Sequence, residues 1–161
     1  SGEHVRLEAA NDAVIADFTY GDGIPWPAAA DGSGYSLVFG GSDPTEALDW
    51  RSSTMLGGNP GSSDSVAYGG GDLLAYGLAA DPMAAKVGAD WMLDVRINLA
   101  ADEVLVLAQF STDLVNWSTA TSADLISRTN HGDGTATLSF LAPFAASVAA
   151  EQYARVLVEA R

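Results

Sequence analysis

Hydrophobic and polar residues alternate along much of the chain with a period of two, which is the pattern of half-buried β-strands. Residues 4–20 show it twice, as HVRLEA and VIADFTY, on either side of the turn pair Asn11-Asp12. This arrangement predicts a β-hairpin. Residues 35–39 (YSLVF) predict a third strand, which the glycine at position 40 ends.

The second half of the chain returns to the same alternation after one helical stretch. Asp72 is placed to cap a short helix over 73–78, which Asp81-Pro82 ends. Further strands are predicted at 91–99, 104–111, 124–128, 135–140 and 152–159, with a tight turn at 130–134. Short strands at this spacing predict an all-β fold class, an immunoglobulin- or fibronectin-like β-sandwich with one short helix.

A long loop is predicted between the two halves. Residues 40–71 are rich in Gly, Ser, Asp and Pro and show little periodicity. We therefore expect the chain to divide here. Residues 1–63 form a β segment with the long loop, and residues 64–161 form a sandwich module that begins with the short helix.

The charge of the chain is strongly negative, with 21 acidic residues against seven Lys and Arg and a formal net charge of −14. Such a surface repels phosphate backbones and anionic lipid, which excludes nucleic acid as an expected partner. The longest apolar runs are too short to span a bilayer, so no membrane insertion is expected. Two interpretations of the acidity remain: solubility in salty water, or binding of a divalent cation such as calcium.

The candidate calcium ligands are aspartates in loops or before the helix: Asp22, Asp31, Asp64 and Asp72. Calcium takes about six to eight oxygen ligands, and a loop site recruits several carboxylates. Residues 62–68 contain one acid only, so this stretch predicts a degenerate site. The alternative is that these aspartates cap turns with their own side chains. No cofactor is therefore required, and calcium stays an option.

The sequence offers little catalytic chemistry. The chain has no cysteine and two histidines, His4 and His131, which do not have the spacing of metal ligands. It contains no G-x-S-x-G motif for a serine nucleophile. Asp17 and Asp94, the two acids beside apolar runs, alternate onto a solvent face. The prediction is that the protein is not an enzyme.

Aromatic residues supply the strongest candidate for a binding site. Sugar-binding modules stack pyranose rings on exposed aromatic faces, while Asp, Asn, Gln or Arg fix the hydroxyl groups. Trp26 lies between two prolines, which hold it rigid as a platform requires. The predicted carbohydrate-binding set is Trp26, Tyr35, Trp50, Arg51 and Trp91. For each of them the alternative is core packing.

Two resemblances indicate where such a module occurs. The first rests on IPWP at 24–27, DGSGYSL at 31–37, DWRSS at 49–53 and GGNPG at 57–61. These motifs resemble the closing part of bacterial lamin-tail domains, which are small immunoglobulin-like β-sandwiches of very large secreted proteins. The resemblance implies a lamin-tail-like β segment in residues 1–63.

The second resemblance rests on DLLAYGLAADP at 72–82, FSTDLVNW at 110–117, NHGDGT at 130–135 and YARVLV at 153–158. These motifs, in this order, resemble the fibronectin-like C-terminal module of large exported proteins of Verrucomicrobia and Planctomycetes. The resemblance implies an accessory region that is secreted or at the bacterial cell surface and is attached to other domains of its parent chain.

The function expected from these observations is a non-catalytic accessory module that binds polysaccharide. The net charge favours neutral glycans as partners, or anionic ones bridged by calcium or a local arginine patch. The alternative is a structural or adhesive spacer that has no small ligand and joins its neighbours through sheet edges. A third possibility is weak calcium-dependent assembly.

Overall fold

A computed structural model describes residues 2–144 and 151–161 and confirms an all-β fold with one short helix among them. The strands are β1 (Glu3–Glu8), β2 (Val14–Tyr20), β3 (Leu37–Phe39), β4 (Trp50–Ser52), β5 (Met83–Val87), β6 (Asp90–Asn98), β7 (Val104–Ser111), β8 (Ser118–Thr119), β9 (Leu125–Asn130), β10 (Thr135–Leu141) and β11 (Tyr153–Ala160). The helix is α1 (Leu73–Gly77), and 3-10 turns lie at Ala28–Ala30, Ala47–Asp49 and Ser122–Asp124.

Two antiparallel sheets enclose the main core. One has the strand order β5-β6-β10-β9 and the other β11-β7-β8. The register of β6 and β10 places Leu93 opposite Phe140 and Val95 opposite Leu138, and all four side chains are buried. Phe110 of β7, which is 1% exposed, belongs to the same apolar cluster. Alternation along each strand thus supplies the apolar layer between the two sheets.

The predicted helix is confirmed, and its cap is the expected one. The Asp72 carboxylate accepts a hydrogen bond from the backbone N–H of Leu74 at 2.9 Å. Most predicted strands differ from the observed ones by one or two residues at their ends. The third strand is shorter than expected, because only Leu37–Phe39 pairs with β4. Strands β4, β5 and β8 were not predicted.

The hairpin of β1 and β2 meets the rest of the molecule through one face of β2. Phe18 and Tyr20 point inward, and every residue of β1 is exposed. The Phe18 ring lies 5.1 Å from that of Trp50, which also contacts Phe39 at 5.0 Å and Trp26 at 6.1 Å. This aromatic cluster seats the hairpin beside the sandwich.

A buried arginine attaches the N-terminal third of the chain to the sandwich. Arg128 is opposite Leu138 in the β9–β10 pair and therefore faces the core. Its guanidinium donates hydrogen bonds to the carbonyl oxygens of Pro25 and Ala47, each at 3.1 Å, and to that of Trp50. Burial lowers the pKa of Arg128 to about 10, so the side chain is still charged at neutral pH. We call these three bonds the Arg128 joint.

Further hydrogen bonds cross the predicted division between residues 63 and 64. Asn130 donates to the Ser52 hydroxyl at 2.7 Å, and Arg161 donates to the carbonyl oxygen of Gly40. These contacts show how residues from the two predicted parts are joined. The division of the chain at residues 63 and 64 stays a prediction.

Candidate functional site

Several of the predicted residues meet in one surface groove of about 350 Å³. The end of β2, the following loop and the start of β3 form its walls. Its lining residues are Glu3, Tyr20, Gly21, Asp22, Pro27, Ala30, Asp31, Tyr35, Ser36 and Leu37. We call it the tyrosine groove, because Tyr20 and Tyr35 supply its aromatic surface.

The hairpin register builds one wall of the tyrosine groove. Glu3 is directly opposite Tyr20 in the β1–β2 pair, and the Tyr20 hydroxyl donates to the Glu3 carboxylate at 2.7 Å. This hydrogen bond, together with burial and the charges of Glu3 and Asp31, raises the pKa of Tyr20. Tyr20 is therefore a neutral phenol at physiological pH. Its hydrogen bond to Glu3 holds the aromatic ring in place.

Trp26 supports that wall from behind. Its ring lies 6.2 Å from the ring of Tyr20. A methyl group at position 21 would come within 2.8 Å of the Trp26 Cδ1 atom, so Gly21 allows the indole to lie directly against the backbone. Trp26 is half-buried, between Tyr20 on one side and Trp50 on the other. The predicted platform is thus partly used for packing.

The opposite wall carries Tyr35, which is half-buried. Its hydroxyl lies beside the β9–β10 turn, 3.3 Å from where a methyl group at Gly132 would be. Gly132 has a φ of 75°, so glycine also suits the backbone of this turn. The Tyr35 hydroxyl therefore lies against this turn.

The structure separates the four predicted calcium ligands. Asp22 and Asp31 both line the tyrosine groove, whereas Asp72 caps α1 and Asp64 binds Arg51. Among residues 2–144 and 151–161, no group of three His, Cys, Asp or Glu is arranged to hold a metal ion. The groove is therefore acidic without being a closed metal site.

Trp50 and Arg51 are buried, which argues against their predicted role in contacting a sugar. Trp50 is 8% exposed, and its indole nitrogen donates to the carbonyl oxygen of Pro44 at 2.9 Å. Arg51 is 7% exposed and forms two parallel hydrogen bonds with Asp102, at 2.6 and 2.7 Å. Burial alone would lower the pKa of Arg51, but the bonds to Asp102 and Asp64 outweigh it and raise this pKa.

Trp91 lies away from the tyrosine groove. It is at the start of β6, whereas Asn98 at the other end pairs with Thr135 beside the β9–β10 turn that contacts Tyr35. At about 3.4 Å per residue, the length of β6 separates Trp91 from that turn by more than about 20 Å. Trp91 instead borders a small cavity of about 40 Å³ with Phe110 and Tyr153.

Two residues of the groove were missed at the sequence level. Glu3 and Tyr20 come together only through the exact register of the hairpin, which their positions in the sequence do not reveal. The available signal was the inward-facing alternation of Phe18 and Tyr20 along β2, which marked Tyr20 as a side chain of the packed face.

Comparison with known proteins gives no relative from which a function could be transferred. No family model, no curated protein and no solved structure matches this chain. In the part of the chain that the structure describes, no helix has the length and hydrophobicity to cross a lipid bilayer.

Proposed function

We propose that this chain is a non-catalytic accessory module of a secreted or cell-surface bacterial protein and that it binds polysaccharide in the tyrosine groove. The observation that carries the proposal is the meeting of two tyrosines with Glu3, Asp22 and Asp31 in one groove. Aromatic faces beside hydrogen-bonding carboxylates are the combination that suits a sugar ring and its hydroxyl groups.

Each wall has a distinct role in this proposal. The rings of Tyr20 and Tyr35 offer apolar faces to the C–H groups of a pyranose. Asp22 and Asp31 accept hydrogen bonds from its hydroxyl groups. Trp26 holds Tyr20 in place through the contact of their rings. The predicted Trp50, Arg51 and Trp91 are left out of the proposed site because of their burial and position.

The acidity of the groove selects the class of glycan. Three carboxylates line it, and the whole chain carries a formal net charge of −14. Carboxylate or sulfate groups on a glycan would therefore be repelled. We expect neutral polysaccharides to bind, and anionic ones to bind only when calcium bridges them to Asp22 and Asp31.

A spacer without a small ligand is the second candidate. It is favoured by the tryptophans, since Trp50 is buried and the other three are half-buried. Trp117, for example, is covered by the guanidinium of Arg155, 4.0 Å from its ring. No tryptophan is therefore fully exposed to solvent, as a sugar-binding platform would be. A spacer function requires neither an exposed tryptophan nor a groove.

Native affinity electrophoresis through gels that contain neutral or anionic polysaccharides tests the proposal. We expect retardation by a neutral glycan, weakened about tenfold in Tyr35→Ala, because a lost stacking contact of about 1.4 kcal/mol is one order of magnitude in affinity. Tyr68→Ala is the matched control, since the Tyr68 ring packs against that of Tyr76 outside the groove.

The gels also separate the alternatives. Retardation that requires calcium and is lost with chelator would assign the site to Asp22 and Asp31 with a bridging cation. Equal weakening by Tyr35→Ala and Tyr68→Ala would contradict the tyrosine groove. No retardation on any gel would reject carbohydrate binding and favour the spacer.

A further inference from the structure

Strand β11 has one paired edge and one open edge. Arg161, just after the strand, donates its N–H to the carbonyl oxygen of Glu103 at 2.9 Å, which continues the β11–β7 ladder. Backbone groups of a strand alternate between its two sides, so the odd-numbered residues bond to β7. The even-numbered residues 154, 156, 158 and 160 therefore point their N–H and C=O groups away from β7. No hydrogen bond among the described residues reaches these groups.

The open edge of β11 differs from the edges of β8, β5, β1 and β9. β8 has two residues, and β5 carries Lys86, a charge of the kind that blocks strand pairing. β1 has charged side chains at three of its six positions. β9 is packed against the N-terminal segment through the Arg128 joint. β11 spans eight residues and has two charged side chains, Arg155 and Glu159.

We infer that two copies of this chain associate by antiparallel pairing of their β11 strands, with the two-fold axis at Leu157. In this register Val156 is opposite Val158 of the second copy, and Leu157 is opposite its own equivalent. Arg155 is opposite Glu159 of the second copy, so both charged positions meet the opposite sign. The free groups of the even-numbered residues then bond to each other, and the two three-stranded sheets become one sheet of six strands.

Side-chain direction supports this register over others. Val156 and Val158 lie opposite the core-facing Ala108 and Val106 of β7, and both are half-buried at the open edge. Pairing would cover them from the side. Self-pairing of β1 would not bring opposite charges together in the same way. A two-fold axis at Arg6 would place the arginines of the two copies opposite each other. An axis at Val5 would place His4 opposite Arg6.

The opposed charges of Arg155 and Glu159 are compatible with this register but add little to the affinity. The Arg155 guanidinium lies over Trp117, and its Nε donates to the Gln109 side chain at 2.8 Å, across β7 and away from the open edge. In the dimer, Arg155 and Glu159 therefore contribute charges of opposite sign at opposed positions without forming a close ion pair. The net charge of −14 on each copy opposes association, so the test belongs at about 0.15 M ionic strength, where the Debye length is about 8 Å.

Engineered cysteines test the register directly, because the natural chain has none. Opposed residues in a pair of this kind have Cα atoms about 4.5 Å apart, within the range of about 4.4–6.8 Å that a disulfide needs. Leu157→Cys should therefore form a disulfide-linked dimer under mild oxidation. In Glu159→Cys, the matched control, the two sulfur-bearing positions are four residues out of register, about 14 Å apart. We expect cross-linking of this control to be slower by at least about tenfold.

Sedimentation velocity and hydrogen exchange of the unmodified chain complete the test. We expect a dimer at high concentration, with the amides of Val156 and Val158 more protected than in dilute solution and the Leu157 amide unchanged. Val156→Pro removes an N–H that faces the open edge and should give a monomer with an unchanged circular dichroism spectrum. Equal cross-linking of the two cysteine variants, a monomer at all concentrations, or a dimer without added protection of Val156 would each overturn the inference.

Discussion

At the scale of single residues, the most demanding feature is the charge of Arg51 inside the protein. Its side chain and that of Asp64 are each 9% exposed, and Asp102 completes the group at 25%. Burial would raise the pKa of Asp64, but hydrogen bonds from Arg51 and Thr54 outweigh it and lower this pKa. The two carboxylates are tolerated in this place because both accept hydrogen bonds from the Arg51 guanidinium.

Removing the cation should therefore cost far more than removing a surface cation. Arg51→Ala leaves Asp64 and Asp102 without their partner, and we expect a loss of about 3–5 kcal/mol in the free energy of unfolding. Arg6→Ala breaks exposed pairs with Glu8 and Asp17 and should cost much less than Arg51→Ala, because water screens ion pairs on the surface. Urea denaturation of both variants measures the difference. Similar losses of unfolding free energy in the two variants would contradict a special contribution of the buried group to stability.

At the scale of secondary-structure elements, the Arg128 joint decides how the N-terminal third meets the sandwich. One guanidinium donates to three carbonyl oxygens, one in the loop at Pro25 and two at the start and the end of the 3-10 turn Ala47–Asp49, from Ala47 and Trp50. The loop residues themselves show no periodicity that would seat them on a sheet. These loop residues are therefore attached to the sandwich by the hydrogen bonds of the Arg128 joint. An amphipathic element would instead be attached by its apolar face.

Arg128→Met should loosen the joint while the sandwich stays folded. The variant keeps an unbranched apolar stem but removes all three bonds. We expect a net cost of about 3 kcal/mol, because hydrogen bonds from a charged donor contribute about 1.5–3 kcal/mol each, while removal of the buried charge offsets part of that loss. Hydrogen exchange should accelerate in residues 25–52 and change little in β6, β7 and β10. Arg96→Met, which breaks a partly exposed pair with Asp133, is the control. Uniform acceleration throughout the chain would contradict a local role.

At the scale of the whole molecule, alternation was enough to predict the architecture but not the way its parts meet. β6, β7, β10 and β11 were predicted because apolar residues recur at every second position along each of them. β4, β5 and β8 were missed because they are short or exposed and show no such contrast. Of the predicted site, the structure brings Tyr35, Asp22 and Asp31 together with Trp26 beside them.

The remaining features could not be predicted from the sequence, because they depend on contacts between residues that are far apart in the chain. The Arg128 joint connects residues that are 78 to 103 positions apart, and no local pattern marks the backbone carbonyls that it binds. The burial of Trp50 and Arg51 depends on the same long-range packing. A tryptophan beside an arginine is equally typical of a sugar site and of a loop packed onto a sheet.

The acidic composition also shapes how the whole molecule responds to pH. The pKa values of Asp17, Asp43, Asp64, Asp113 and Asp133 are all lowered in the folded state. Each such group stabilises the fold above its unfolded pKa of about 3.9, and that contribution is lost as pH falls through the folded pKa. The protein should therefore lose stability steeply below about pH 4.

Asp113→Asn isolates the largest of these contributions. Asp113 accepts hydrogen bonds from the backbone of Val115 and Asn116 and from the side chain of Asn116, which lower its pKa. We expect the variant to be less stable than the natural chain at pH 7 and to lose less stability on acidification, as urea midpoints between neutral and acid pH would show. Asp81→Asn, which removes one carboxylate at an exposed position, is the matched control. Parallel profiles for the natural chain and Asp113→Asn would contradict this assignment.

The contact between Trp26 and Trp50 gives the protein an optical property of its own. Their rings lie 6.1 Å apart at an angle of 45°, close enough for the electronic transitions of the two indoles to couple. Trp26 belongs to the loop behind the tyrosine groove, and the carbonyl oxygen of Trp50 belongs to the Arg128 joint. The aromatic circular dichroism of the unlabelled chain is therefore an intrinsic gauge of whether that loop is seated on the sandwich.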